Sequence, residues 1–152
     1  MIVRWILAFL AAVAVMVVLG SLAHSLMVQQ AWIAATDIGD GVVPATLSFG
    51  ERAGWILHDL TGMLPLFGSL TAVALLVAFL AGSLVARFTG LRTIVFAVAG
   101  AIAIFVLFTA LKMTLGTVGV FGARGTMGLG LQVAAGLVAG LVFAFLSRSR
   151  AA

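Results

Sequence analysis

The residues best suited to chemistry in this sequence are two acids and a histidine that fall on one face of a predicted helix. Glu51, His58 and Asp59 carry carboxylate and imidazole groups, which are candidates for general acid–base catalysis. The competing interpretation, which we favour, is that they are ordinary interfacial charges that partly pair. No nucleotide-binding, zinc-protease or nucleophile-elbow pattern accompanies them, so catalytic residues are not assigned.

His24 and His58 are the only histidines, and a pair of histidines on adjacent helices can ligate haem iron or another metal ion. The stretch from His58 to Gly62 is similar to a His-x-x-Thr/Ser-Gly stretch of membrane cytochrome b subunits, although that pattern has an arginine where this chain has Asp59. Five residues identify no family. We predict no cofactor, with haem b on His24 and His58 as the alternative. The absence of cysteine excludes disulfides and thiolate metal sites.

Two basic residues form a second candidate site. Lys112 ends the third apolar run, and Arg124 follows in a glycine-rich loop, Gly116–Gly125. Backbone N–H groups of such a loop together with two cations can bind an anion or an anionic lipid headgroup. Alternatively, Lys112 extends its charge to the headgroup region and the loop is a flexible connection.

Small residues recur every four positions along the last apolar run. This predicted helix-packing face consists of Gly128, Gln132, Gly136, Gly140 and Ala144. The Gly-x-x-x-Gly spacing allows two helix backbones to approach closely in a membrane. The sequence leaves open whether the partner helix belongs to this chain or to another copy.

The elements that must position these residues are predicted from composition. Of the 152 residues 64% are hydrophobic and only 8% are charged, far from the roughly 25% charged residues of a soluble domain. About 20 apolar residues in a helix cross the hydrocarbon core, and four runs are long enough. We predict one all-α integral membrane domain, 1–152, with TM1 at about 5–28, an outer loop at about 29–62, TM2 at about 63–86, TM3 at about 93–112, a Gly-rich outer loop at about 113–126 and TM4 at about 127–147.

Basic residues indicate the orientation. Alternating helices place five of the eight on one side: Arg4, Arg87, Arg92, Arg148 and Arg150. By the positive-inside rule, this four-transmembrane-helix bundle (up-down-up-down) is predicted to lie in the inner (plasma) membrane as a multi-pass protein, N-in and C-in. An alternative makes residues 1–23 a cleaved signal peptide, because small residues follow the first apolar run.

The outer loop contains turn residues from Asp37 to Pro44 and then a helix signal. Ser48 and Glu51 match the capping box, and an apolar stripe at helical spacing follows. The stripe consists of Phe49, Ala53, Ile56, Leu57, Leu60 and Leu64, and the opposite, polar face consists of Glu51, Arg52, Trp55, His58 and Asp59. We predict a short amphipathic interfacial helix that ends before TM2, with Pro65 in the first turn of TM2. Gly90 is predicted to take the left-handed conformation that reverses the chain between TM2 and TM3.

The functional prediction is a small polytopic membrane protein without enzymatic activity. It would be an accessory or structural subunit, or a homo-oligomer, acting through helix packing. Its partners would be the lipid bilayer and possibly itself or a larger membrane-protein complex. Nucleic acid is not expected, because the basic residues are dispersed. The alternatives are an oligomeric transporter or channel for a small or lipidic solute, lined by Gln132, and an outer-face enzyme or haem-binding redox subunit.

Overall fold

The structure, a computed structural model, describes residues 2–36, 47–116, 120 and 123–148. Within these ranges it has four α-helices and no β-strand: α1 Ile2–Thr36, α2 Phe49–Thr89, α3 Arg92–Leu115 and α4 Thr126–Leu146. All four are long and apolar enough to cross a membrane. The predicted turn residues from Asp37 to Pro44 and part of the glycine-rich loop lie outside the described residues.

The helices differ greatly in length. At about 1.5 Å per residue, α1 and α2 are about 50 and 60 Å long, whereas α3 and α4 are about 36 and 32 Å long. Residues 29–36 were predicted to be loop and instead continue α1. The two long helices therefore extend as a pair, here called the α1–α2 extension, well past one end of the two short ones.

The predicted break between an interfacial helix and TM2 is absent, because α2 runs without interruption through Pro65. The prediction that Pro65 occupies a first helical turn is therefore wrong. Proline inside a helix removes one backbone hydrogen bond, whereas a helix end would leave several N–H and C=O groups without helical partners. A continuous helix therefore loses fewer backbone hydrogen bonds than an interrupted one.

Two local predictions are confirmed at the ends of α2. Ser48 and Glu51 form the reciprocal capping box, with the Ser48 hydroxyl accepting from the Glu51 N–H and the Glu51 carboxylate accepting from the Ser48 N–H. At the other end Gly90 has φ 68°, ψ −9° and donates its N–H to the Ala86 carbonyl. Without a Cβ, glycine adopts this left-handed conformation at little cost, and α3 starts two residues later.

Each helix packs mainly against two neighbours, in the order α1–α2, α2–α3, α3–α4 and α4–α1. One aromatic cluster joins all four. Phe79 of α2 stacks on Phe143 of α4 with ring centroids 4.3 Å apart, and Phe96 of α3 meets Phe143 edge-on at 4.8 Å. Trp5 of α1 completes the group at 5.3 Å from Phe143. Phe79, Phe96 and Phe143 are fully buried, so this cluster is the centre of the core.

Glycine brings α3 and α4 into backbone contact. A Cβ added to Gly100 would lie 2.1 Å from the Gly136 carbonyl oxygen, and one added to Gly140 would lie 2.0 Å from the Phe96 carbonyl oxygen. Real Cβ atoms do not approach oxygen so closely, so no larger residue fits at either position without moving a helix. The two backbones touch because these side chains are absent.

Candidate functional site

A ladder of three side-chain pairs holds the α1–α2 extension together. Ser25 of α1, which is fully buried, donates its hydroxyl to Asp59 Oδ2 of α2 at 2.5 Å. One turn further out the Gln29 amide exchanges hydrogen bonds with Arg52, at 3.4 Å to its carbonyl and 3.3 Å from its guanidinium. The last pair is the edge-on contact of Trp32 with Trp55, with centroids 5.9 Å apart. These pairs are called the polar ladder below.

The polar ladder reverses the exposure expected for the first half of α2. Arg52, Trp55 and Asp59 were predicted to lie on a polar outer face and instead turn toward α1. The apolar stripe is left outside, with Phe49 87% and Leu57 63% exposed. Buried polar groups require partners, and α1 offers Ser25 and Gln29 at helical spacing. Pairing with α1 therefore decides which face is covered.

The polar groups of the extension do not form a nucleophile–base pair. In a serine triad the histidine lies between the hydroxyl and the carboxylate, but here Ser25 bonds directly to Asp59. His58 is 3.7 Å from Asp59 Oδ1 with its side chain 88% exposed. Glu51 is occupied by the Ser48 backbone and hydroxyl at 2.8 and 2.7 Å. Of the three predicted catalytic candidates, the structure brings together only His58 and Asp59.

The two histidines have different surroundings. His24 lines a cleft of about 460 Å³ whose other walls come mainly from apolar residues of α2 and α3, including Phe67, Phe108 and Leu111. His58 is not part of that lining. Among the described residues no group of three or more His, Asp or Glu side chains is arranged to hold a metal ion. The cleft is therefore mainly apolar, with one imidazole on its wall.

Lys112 and Arg124 line one pocket between the last turn of α3 and the first turn of α4. Its volume is about 290 Å³, and its wall also includes Phe108 and the two threonines Thr109 and Thr126. Thr109 donates its hydroxyl to the Phe105 carbonyl of its own helix. Two cations and the Thr126 hydroxyl around one pocket are compatible with an anionic group. Binding of a headgroup by Lys112 and Arg124 stays a prediction.

The predicted packing face of α4 is buried within this chain. Gly128, Gln132, Gly136, Gly140 and Ala144 are all buried. Gly136 and Gly140 face α3, while Gln132 donates its amide N–H to the Gly20 carbonyl of α1 at 2.9 Å. Both neighbours thus come from the same polypeptide, and α4 presents little of this face to a second molecule.

A group of basic residues at the opposite end from the extension was not predicted as a site. Arg4 and Arg92 both donate to the Ser147 carbonyl, at 3.4 and 3.2 Å, and Arg92 also donates to the Ser147 hydroxyl at 2.6 Å. Arg148 reaches the Thr93 hydroxyl at 2.6 Å. These three arginines, here called the arginine cluster, were interpreted only as topology markers. Their common side was predictable, but the contacts of Arg4 and Arg92 with Ser147 and of Arg148 with Thr93 were not.

Comparison with known proteins does not identify the chain. No protein-family model, curated protein or solved structure matches it. Assignment of a function therefore depends on the geometry described above.

Removing the carboxylate of the polar ladder is expected to loosen the α1–α2 extension. Asp59→Ala deletes the acceptor of the Ser25 hydroxyl, a hydrogen bond to a charged group that contributes about 1.5–3 kcal/mol. Amide hydrogen exchange in the last three turns of α1 should accelerate roughly tenfold or more. His58→Ala, which removes an exposed neighbour, is the control. Equal exchange rates in both variants would contradict the role given to the ladder.

Proposed function

We propose that this chain is a non-enzymatic accessory subunit of a larger assembly in the inner (plasma) membrane. It would form a four-helix bundle with up-down-up-down topology and both termini in the cytoplasm. The carrying observation is the exposed apolar stripe on the part of α2 that extends past the short helices, with Phe49 87%, Leu57 63% and Leu64 55% exposed. An apolar stripe of this kind is typical of a surface that another protein covers.

The orientation is supported by the arginine cluster and Arg87, which gather basic side chains at one end of the helices. About 20 residues span the hydrocarbon core, and counting that number back from Arg87 reaches Phe67. The first four to five turns of α2 then stand beyond the core, on the outer side. Exposed Glu51 and His58 accompany the stripe there, which favours a surface reached by water over one immersed in lipid tails.

Exposed apolar side chains elsewhere support membrane insertion. Large apolar residues are open over most of the helical surface, among them Leu7 at 60%, Val73 at 63% and Ile102 at 55%. A soluble monomer rarely exposes contiguous apolar patches beyond a few hundred Å². Lipid tails would cover these side chains, but only on the lengths of helix that lie within the core.

The geometry gives less support to the two alternative functions. A transport path lined by Gln132 and the glycines of α4 would require α4 to separate from α1 and α3, because those residues are buried against them. An outer-face enzyme or redox centre would need His24 and His58 to face one space, yet His24 lines the cleft and His58 is exposed. A partner for the apolar stripe requires no such rearrangement.

The proposal is tested by the mass of the assembly extracted gently from native membranes. The double variant Phe49→Ala, Leu57→Ala removes two anchors of the stripe, and interface anchors of this type contribute about 2 kcal/mol each or more. We expect native mass spectrometry to show wild-type chain in a complex with another protein and the double variant mainly alone.

The control replaces a phenylalanine and a leucine of similar exposure at the other end of α2. Phe88 and Leu84 are 83% and 58% exposed, and Phe88→Ala, Leu84→Ala should leave the complex intact. Complexes that contain only copies of this chain would replace the accessory role with a homo-oligomer. A partnerless wild-type monomer in every gentle extraction would refute the proposal.

A further inference from the structure

We propose that the arginine cluster is a binding site for a phosphate group, supplied by an anionic phospholipid of the adjoining leaflet. Arg4, Arg92 and Arg148 come from three different helical segments: the first turn of α1, the first residue of α3 and the residue beyond the α4 cap. Separate elements thus bring Arg4 and Arg92 to Ser147, and Arg148 to Thr93, the residue that follows Arg92. This site is distinct from the partner surface of the α1–α2 extension and lies at the other end of the helices.

The cluster carries positive charge that no carboxylate among the described residues pairs with. Arg4 and Arg92 donate to the same Ser147 carbonyl oxygen, so their guanidinium groups adjoin. The described carboxylates, Glu51 and Asp59, lie in the first half of α2, at least about 45 Å of helix from its Thr89 end. The C-terminal dipole of α4 contributes only about half of a negative charge. Among the described residues, three arginine cations therefore lie near only the partial negative charge of the α4 C-terminus.

The guanidinium groups of Arg92 and Arg148 are held against aromatic rings instead of extending freely into solvent. Arg92 lies over the Phe96 ring, and Arg148 lies over the Phe145 ring, each at 5.0 Å from the centroid. Such cation–aromatic contacts hold the planar groups and leave their N–H edges available. Arg92 Nε is buried and has no acceptor among the described residues. Convergent, oriented N–H donors are the arrangement that binds phosphate oxygens in pairs.

The ligand follows from that chemistry and from the location. A guanidinium group matches the oxygens of a phosphate better than a point charge does. The cluster is at the helix ends that carry the excess of basic residues, and the cytoplasmic leaflet is the one rich in anionic lipids. A phospholipid bound there would keep its tails against the apolar faces of α1, α3 and α4. A soluble phosphate compound presents the same anion, and the experiment separates the two sources.

The test measures lipid binding to the full-length purified protein by native mass spectrometry. Phosphatidylglycerol is compared with phosphatidylcholine, and we expect the wild-type chain to prefer the anionic lipid by about tenfold. Arg92→Gln should remove most of that preference. Arg87→Gln is the matched control, with the same charge change on the adjoining turn outside the cluster, and should alter the affinity less than about twofold.

A second variant tests whether the loss of lipid binding comes from a damaged fold. Arg148→Gln removes an exposed cluster arginine whose described hydrogen bond is to the Thr93 hydroxyl, and it should weaken phosphatidylglycerol binding while the helical circular dichroism melt stays unchanged. Inorganic phosphate is then added to protein in detergent. Competition only at concentrations far above those of the lipid assigns the site to the phospholipid. Binding of phosphate as tight as that of phosphatidylglycerol assigns it to a soluble phosphate compound.

Two results would overturn the site. One is equal binding of both lipids by the wild-type chain together with no effect of inorganic phosphate. The other is an equal loss of affinity in Arg92→Gln and Arg87→Gln, which would show that net charge alone attracts the lipid. In either case the arginines serve only to donate hydrogen bonds to Ser147 and Thr93 at these helix ends.

Discussion

Replacing Gly140 with alanine is expected to lower the free energy of unfolding by about 3 kcal/mol, at the upper end for overpacking by one methyl group. The new Cβ would lie 2.0 Å from the Phe96 carbonyl oxygen and 2.8 Å from the Phe96 carbonyl carbon, both backbone atoms. No rotamer change relieves that overlap, because neither atom belongs to a side chain. The α3 and α4 backbones must separate, and the contact at Gly100 and Gly136 weakens with them.

The matched control is another glycine of the same helix. A Cβ added to Gly130 meets nothing within 4 Å, so Gly130→Ala should be neutral or slightly stabilising, since alanine has the higher helix propensity. Unfolding in detergent, followed by circular dichroism or by steric trapping, measures both. Similar stabilities of Gly140→Ala and Gly130→Ala would mean that α3 and α4 are not in backbone contact.

Truncating Phe143 to alanine is expected to cost about 3 kcal/mol, within the range for large core side chains. Its ring touches Phe79, Phe96 and Trp5, one from each of the other helices. Lipid replaces water as the medium outside, so the transfer contribution is smaller than in a soluble protein, but the cavity and the lost ring contacts remain. All four helices should loosen together.

An exposed phenylalanine serves as the control for that prediction. Phe88 is 83% exposed near the end of α2, and Phe88→Ala should change the stability by less than about 0.5 kcal/mol. We expect this difference in thermal melts of both variants in the same detergent. Aromatic near-ultraviolet circular dichroism serves as a second signal. A Phe143→Ala variant that melts with wild-type protein would place the core elsewhere.

Local signals accounted for the ends of the helices. Ser48 and Glu51 satisfy each other's backbone groups within one turn, and Gly90 needs only its missing Cβ to reverse the chain. Such features depend on neighbours in sequence and are predictable from it. The prediction at Pro65 was wrong because proline is common in the first turn of a helix, whereas α2 continues through Pro65 and loses one backbone hydrogen bond instead of the several that a helix end would lose.

The candidate sites depended on contacts between distant segments. The periodicity of α2 separated its apolar and polar residues into two faces, but Ser25 and Gln29 on α1 decided that Asp59 and Arg52 would turn inward. In the arginine cluster, Arg4 and Arg92 likewise meet at Ser147 and Arg148 contacts Thr93, each contact joining residues more than 50 positions apart. Nothing in the spacing of Arg4, Arg92 and Arg148 indicates that they meet.

The sequence by itself determined the four apolar helices of the described residues, because uninterrupted apolar runs of about 20 residues can pair all their backbone groups as helices, whereas barrel strands are shorter and alternate. It also determined which face of α4 is lined by small residues. Only the tertiary structure decided that α3 and α1 fill that face, that α1 and α2 extend together, and which α2 face stays uncovered. Helical periodicity states what a face offers, whereas its partner is chosen by the packing of the whole chain.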